Sequence, residues 1–308
     1  AVHHNGPRFR IYPEGRDTDR DGLFNEDGAG GVDINMNFSF QYHTFQPESG
    51  PYPMSEPESE ALVRFCLDHP NIVSVFSFSP QHNLITPWNH QSDGPESNED
   101  GHPIQNVAAA DHPVFKAVAD RFQSHFPGRP ISEENTGGLT QWAYFHAGFW
   151  SFSAPIWCPP DTNEDNSTDP DRTLFRWIQE QELSERFIPW TEVSHPDFPA
   201  QTVEMGGFAP FAKSPPTDSL QTISDRLAPF LLEQLDDLPQ LRLDGPIVES
   251  LGSSLYRISV RVLNTGWLPT TTEIGRRSRW LPPVRVIPNL SGSHHLIQGD
   301  PWVRIDGI

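Results

Sequence analysis

Cysteine is nearly missing from this sequence: among 308 residues only Cys66 and Cys158 occur. Two thiols allow one bridge at most, so no disulfide framework holds the fold. Cys66 sits inside a helical apolar pattern and is expected to be a small buried hydrophobe. Cations are also scarce, with 21 Lys and Arg against 41 Asp and Glu and a formal net charge of −20. Phosphate recognition needs a basic surface, so the balance argues against a nucleic-acid partner and fits divalent cations or cationic partners. No apolar run approaches about 18 residues, so no membrane span is expected. Ala1 is not an initiator methionine and no signal peptide precedes it, so a processed or truncated product is expected. What is abundant is aromatic and proline content: 9 Trp, 20 Phe and 32 Pro argue for a packed, loop-rich fold rather than disorder.

The chain is long enough for one large domain or two smaller ones. Residues 1–14 read as extended, with Phe9, Ile11 and Tyr12 as apolar positions. Ser55-Glu-Pro-Glu58 reads as a capping box opening a helix, with Leu62, Val63, Phe65, Cys66 and Leu67 as its buried face and Pro70 as its stop. Asn71–Ser79 and Ser151–Trp157 read as buried strands. Helices are expected over Val114–Phe126, Trp142–Trp150, Leu174–Glu185 and Ser219–Leu238. Residues 89–112 and 159–172 are polar surface loops. After Pro239 the texture changes to short alternating runs, Leu241–Glu249, Leu255–Leu263 and Val284–Ile287, which suggest a small antiparallel β-sandwich. A domain boundary is therefore expected at 238/239.

The most informative stretch is Gly15 to Phe38. Asp17, Asp19 and Asp21 stand at positions 1, 3 and 5 of an acidic loop with Gly22 at 6; Leu23 offers a carbonyl, and Asn25, Glu26 and Asp27 follow. Calcium takes six to eight oxygens, and this spacing wraps alternate side chains around one point. Position 12 is Gly28 rather than a bidentate Glu, so the loop reads as a structural calcium site and not a sensor.

The loop runs into Gly-Val-Asp-Ile-Asn-Met-Asn-Phe (residues 31–38), followed by Gly50-Pro-Tyr-Pro-Met-Ser-Glu-Pro-Glu58, His69-Pro-Asn-Ile, Leu84-Ile-Thr-Pro87, Gly137-Gly with Trp142-Ala-Tyr, Phe187-Ile-Pro-Trp-Thr and Val203-Glu-Met-Gly-Gly-Phe. Taken together these resemble secreted bacterial zinc carboxypeptidases of the carboxypeptidase A clan over nearly the whole chain. The resemblance implies the C-terminal portion of an α/β domain with a mixed sheet and helices on both faces, followed by the β-sandwich. It also implies a zinc held by His-x-x-Glu and a later His, a Glu general base, a Tyr closing over substrate and an Asn-Arg pair gripping the substrate's terminal carboxylate.

The residues at those positions depart from the pattern. His-x-x-Glu occurs nowhere in the chain; in the family it precedes the calcium loop and would lie before Ala1. Phe78 or Ser79 stands at the later zinc ligand, Pro155 at the general base and Glu133 at the tyrosine. Asn35 keeps half of the clamp, but Met36 replaces its arginine, and a thioether cannot make bidentate, charge-assisted bonds. A proline cannot carry a proton. His82, or His90 with Asp93, could supply a relocated ligand only by converging on one ion. Glu133-Glu134 reads as a solvated acidic loop, and the triplet at Asn37 carries little weight as a glycosylation signal.

The expected protein is thus secreted, extracellular or periplasmic, calcium-stabilised, without zinc, and has exchanged peptidase turnover for binding or structure. Two alternatives stay open: an active zinc carboxypeptidase of altered specificity with its first ligands on an absent N-terminal segment, and a subunit of an extracellular assembly. The partners expected are an N-terminal segment or separate chain completing the sheet, and further copies through self-assembly.

Overall fold

The computed structural model describes residues 32–79, 81–85, 87–88, 106–126, 137–155, 157, 170–195, 199–209, 211–278, 281–290, 292, 295–305 and 307–308. The order of elements is α1 (Pro57–Asp68), β1 (Ser74–Phe78), α2 (His112–His125), α3 (Leu139–Phe145), β2 (Trp150–Ala154), α4 (Pro170–Glu180), β3 (Phe187–Val193), β4 (Val203–Phe208), α5 (Leu220–Asp236), β5 (Leu241–Gly252), β6 (Leu255–Asn264), α6 (Glu273–Ser278), β7 (Val284–Val286) and β8 (Val303–Ile305). The first part is α/β and the last part antiparallel. Among the described residues the central sheet is two parallel strands, β1 and β2, and the C-terminal strands make two two-stranded antiparallel ladders, which match the expected antiparallel unit in part.

Parallel strands need a long crossover, which residues 79–149 supply with α2 and α3. β2 is buried along its whole length, as its run Trp-Ser-Phe-Ser-Ala between covered faces requires. The core joins Phe115 and Phe122 of α2, Tyr144 of α3, Trp150 and Phe152 of β2 and Phe230 of α5. Their rings meet edge-on or tilted, with Phe122 and Phe230 centroids 5.1 Å apart and Phe115 and Tyr144 also 5.1 Å apart.

Residues beyond β6 return to this core. Leu268 and Ile274 are buried in it, the Trp150 indole donates to the Pro269 carbonyl (2.9 Å), and the Thr272 hydroxyl donates to the Gly148 carbonyl (2.8 Å). Gly148 (φ +80°) and Gly275 pass so closely that a Cβ on Gly148 would lie 2.3 Å from the Gly275 Cα. Asp111 seals the junction: its carboxylate accepts from the Glu273 amide (2.9 Å) and from the Tyr144 hydroxyl (2.8 Å). Burial pushes the Asp111 carboxyl up, and burial with the neighbouring Asp111 charge pushes the Tyr144 hydroxyl up.

Several expected elements move for identifiable reasons. α1 begins at Pro57, with Glu56 as its N-cap and no side-chain cap, so the capping box at Ser55 does not form. Asn37 explains this. Fully buried, it donates to the Ser49 carbonyl (2.8 Å) and the Ser55 hydroxyl (2.9 Å), and accepts from the Ser59 hydroxyl (2.5 Å). Ser55 is thereby taken from the cap. The Ser59 bond also sets the rotation of α1, placing 59, 63 and 66 inward at helical spacing. Leu62, Phe65 and Leu67, expected in the buried face, are 41, 55 and 43% exposed. Cys66 is buried with a free thiol, as expected, and Cys158 lies outside the described residues. The helix expected over Trp142–Trp150 stops at Phe145, because the chain turns through Gly148 into β2.

Removing the acceptor in Asp111→Ala strands a buried amide and hydroxyl and should cost about 2–4 kcal/mol in urea unfolding, with Asp111→Asn milder. At the exposed side of α6, bonds from Arg276 chiefly, and from Arg277, hold the Glu273 carboxyl below its usual range. A depressed carboxylate stabilises fully above its ordinary pKa and less as pH falls through the lowered value. Glu273→Gln should therefore lower stability at neutral and alkaline pH, change little in strong acid, and so flatten the acid side of the stability–pH curve.

Candidate functional site

In parallel α/β sheets the crevice outside the carboxyl ends of the strands is the usual binding place. Here Phe78 pairs with Ala154, so β1 and β2 end side by side, and the Ser79 amide donates to the Ala154 carbonyl (3.3 Å). Ser79 follows β1 and Pro155 follows β2, so the fold brings two of the positions singled out in the sequence to one edge.

Asn35 joins them from the turn Ile34–Met36. That turn is held by Asp33, whose carboxylate accepts from the Asn35 amide (2.8 Å), while the Phe38 amide donates to the Gly137 carbonyl (2.7 Å). The Ser79 hydroxyl donates to Asn35 Oδ1 (3.3 Å) and accepts from the Gln81 amide (3.2 Å). Gln81 Nε2 donates to the Asn35 carbonyl (2.6 Å). The Gln81 carbonyl in turn accepts from the Ser153 hydroxyl (2.7 Å). Asn83 locks the other side: its side chain donates to the Ser151 carbonyl (2.8 Å) and accepts from the Ser153 amide (2.9 Å). Asn35, Ser79, Gln81, Asn83 and Ser153 form one hydrogen-bonded network of neutral side chains, and all but Asn35 are buried.

Other positions do not join the network. Phe78 turns the opposite way along β1; its ring packs edge-on against Phe76 (5.3 Å) and is half exposed. Met36 is buried, with no charge to offer a ligand. Glu133 and Glu134, the acidic loop with Asp17, Asp19, Asp21, Leu23, Asn25, Glu26 and Asp27, and His90 with Asp93 lie outside the described residues. His82 is half-buried, and burial lowers its pKa, favouring neutral imidazole at physiological pH. Among the described residues no group of three or more His, Cys, Asp or Glu is placed to hold a metal ion.

The zinc carboxypeptidase family model matches residues 9–175, more than half of the chain, and this chain belongs to that family. Residues 240–308 match a second family model described as a domain of unknown function. No curated protein and no solved structure matches the chain.

The family implies a zinc ion at the carboxyl ends of these strands, and the described residues at this edge do not fit it. Zinc takes imidazole, thiolate or carboxylate donors. Ser79, Asn35 and Gln81 offer only hydroxyl and amide oxygens, those of Ser79 and Asn35 already engaged, and Pro155 offers no side-chain donor. What the arrangement can do is fasten the turn at 33–38 to the strand ends.

Motif reading could find Ser79 and Pro155, but not Gln81, Asn83 or Ser153. Their bonds join residues 46 to 72 positions apart and follow no spacing rule. A weak signal was present in Gly137-Gly138: a Cβ on Gly138 would lie 1.5 Å from Gln81 Oε1, a buried acceptor without a hydrogen-bond partner. Gly138→Ala must therefore evict the Gln81 side chain, costing about 1–3 kcal/mol in denaturant melts. In a double-mutant cycle Gln81→Ala should relieve most of the clash, leaving the pair markedly non-additive.

Proposed function

We propose that this member of the zinc carboxypeptidase family has lost peptide hydrolysis and serves as an exported, calcium-stabilised binding or structural protein. The observation that carries the reading is the neutral network of Asn35, Ser79 and Gln81 where β1 ends, with Pro155 where β2 ends. Peptide hydrolysis in the family's manner needs an imidazole ligand, a proton-transferring carboxylate and a guanidinium clamp. On this reading Phe78 or Ser79, Pro155 and Met36 hold those three positions, and none of them can do the work.

Calcium is the cofactor proposed, bound by Asp17, Asp19, Asp21, the Leu23 carbonyl, Asn25, Glu26 and Asp27, with zinc playing no part. Residues 1–238 form the carboxypeptidase-like unit and 239–308 the appended one. An N-terminal segment or separate chain completing the sheet is the partner proposed. In the described residues no helix is long and apolar enough to cross a membrane. The acidic loop and the family resemblance favour an extracellular or periplasmic setting.

The test is a turnover assay on peptides with free C-termini, run on protein incubated with zinc. Hydrolysis above background with one zinc bound per chain would overturn the proposal; no turnover and no stoichiometric zinc is expected. Calcium is checked by thermal melting with and without chelator. The chelated protein should melt at a lower temperature, and the double substitution Asp19→Asn, Asp21→Asn should abolish that difference.

A further inference from the structure

The hairpin of β5 and β6 carries a surface that the preceding reading does not use. Cross-strand partners share a face and successive side chains alternate. Leu243 pairs with Val262, Val248 with Ile258 and Ser250 with Tyr256. The register shifts between Asp244 and Ile247, where β5 holds one extra residue at Gly245-Pro246. That bulge changes which residues of β5 face each way, so Val248 stays on the same side as Leu243. One face thus presents Leu241, Leu243, Val248, Tyr256, Ile258 and Val260. The other bears Arg242, Asp244, Glu249, Arg257 and Arg261 beside Ile247, Leu255 and Leu263, with Arg257 bonded to Glu249 (3.1 Å).

The apolar face is bare. Its six side chains are 48, 59, 57, 56, 59 and 39% exposed, in the order just given. Together they expose on the order of 600 Å², the upper end of the largest patch a typical monomer leaves open. A two-stranded ladder without a layer on either face is also marginal in water.

We infer that this face packs against the same face of a second copy, so that two hairpins make the two layers of a sandwich across a two-fold axis. The area fits: two such faces bury on the order of 1,200 Å², the lower bound of a stable specific interface. Charge permits it as well. The chain is strongly acidic overall, but the apolar face holds no charged side chain and the opposite face of the hairpin sets Arg242, Arg257 and Arg261 against Asp244 and Glu249, so no like charges are brought face to face here. Val248 and Ile258, opposite one another at the middle of the ladder, would lie at the two-fold axis and meet their own copies.

Sedimentation velocity of the full 308-residue chain across a concentration series tests the inference. A reversible monomer–dimer equilibrium is expected. Ile258→Asp and, separately, Leu243→Gln should each weaken dimerisation, Ile258→Asp by about 100-fold or more because the substitution enters twice. Ser259→Asp, on the charged face, should leave it unchanged, and circular dichroism confirms that each variant is folded. A monomer at every concentration overturns the inference. So does a dimer indifferent to both apolar-face variants, or open-ended polymer, which would signal pairing through the bare strand edges instead. None of these readouts depends on zinc, calcium or turnover.

Discussion

A pair of hydrogen bonds from the start of the loop after β1 to Asn35 organises the site end of this molecule. Ser79 and Gln81 both reach the turn at 33–36, and Gln81 and Asn83 both reach back to β2. Buried polar groups in a low-dielectric interior are costly unless paired. With one exception, the Gln81 Oε1 atom, the network meets that requirement with neutral partners drawn from its own chain. A cavity that must receive a cation and a charged substrate has the opposite character, since its donors need to stay unpaired until the ligand arrives. At the strand ends Asn35, Ser79 and the Gln81 amide are instead engaged with one another.

The scaffold around it is kept by different residues from those that would do chemistry. Asn37 binds the turn to the segment 49–59, Asp111 binds α2 and α3 to α6, and Arg186 binds the loop at 211–214 through its guanidinium. Each is buried, and removal would leave several groups unpaired at once. The buried state of Asn37 also removes it as a glycosylation acceptor, because its amide nitrogen is occupied and out of reach of solvent.

Much of this was legible in the sequence where one local signal sufficed. β2, α2 and α5 follow from apolar runs and helical spacing, the β5–β6 hairpin from alternation, and the family from the residues around Asn35. Two of the misreadings share one cause, tertiary bonds overriding local preference. Ser55 looks like a cap until Asn37 claims its hydroxyl, and α1 looks inward at Phe65 until Ser59 fixes its rotation. The sandwich expectation was legible only in part: its antiparallel strands are there, and how they are layered is not. Alternation gives a strand two unlike faces but does not say whether another layer lies within the same chain, and the described strands pair only two by two. The network of Gln81, Asn83 and Ser153 was illegible because amide and hydroxyl groups at arbitrary separations have no pattern to read.

The decisive measurement is anomalous diffraction at the zinc edge from crystals of this protein grown or soaked in zinc. The account predicts no ordered peak at the carboxyl ends of β1 and β2, and unchanged bonds among Asn35, Ser79 and Gln81. A peak there at coordination distance, about 2.0–2.2 Å from imidazole or carboxylate groups of this chain, would contradict it.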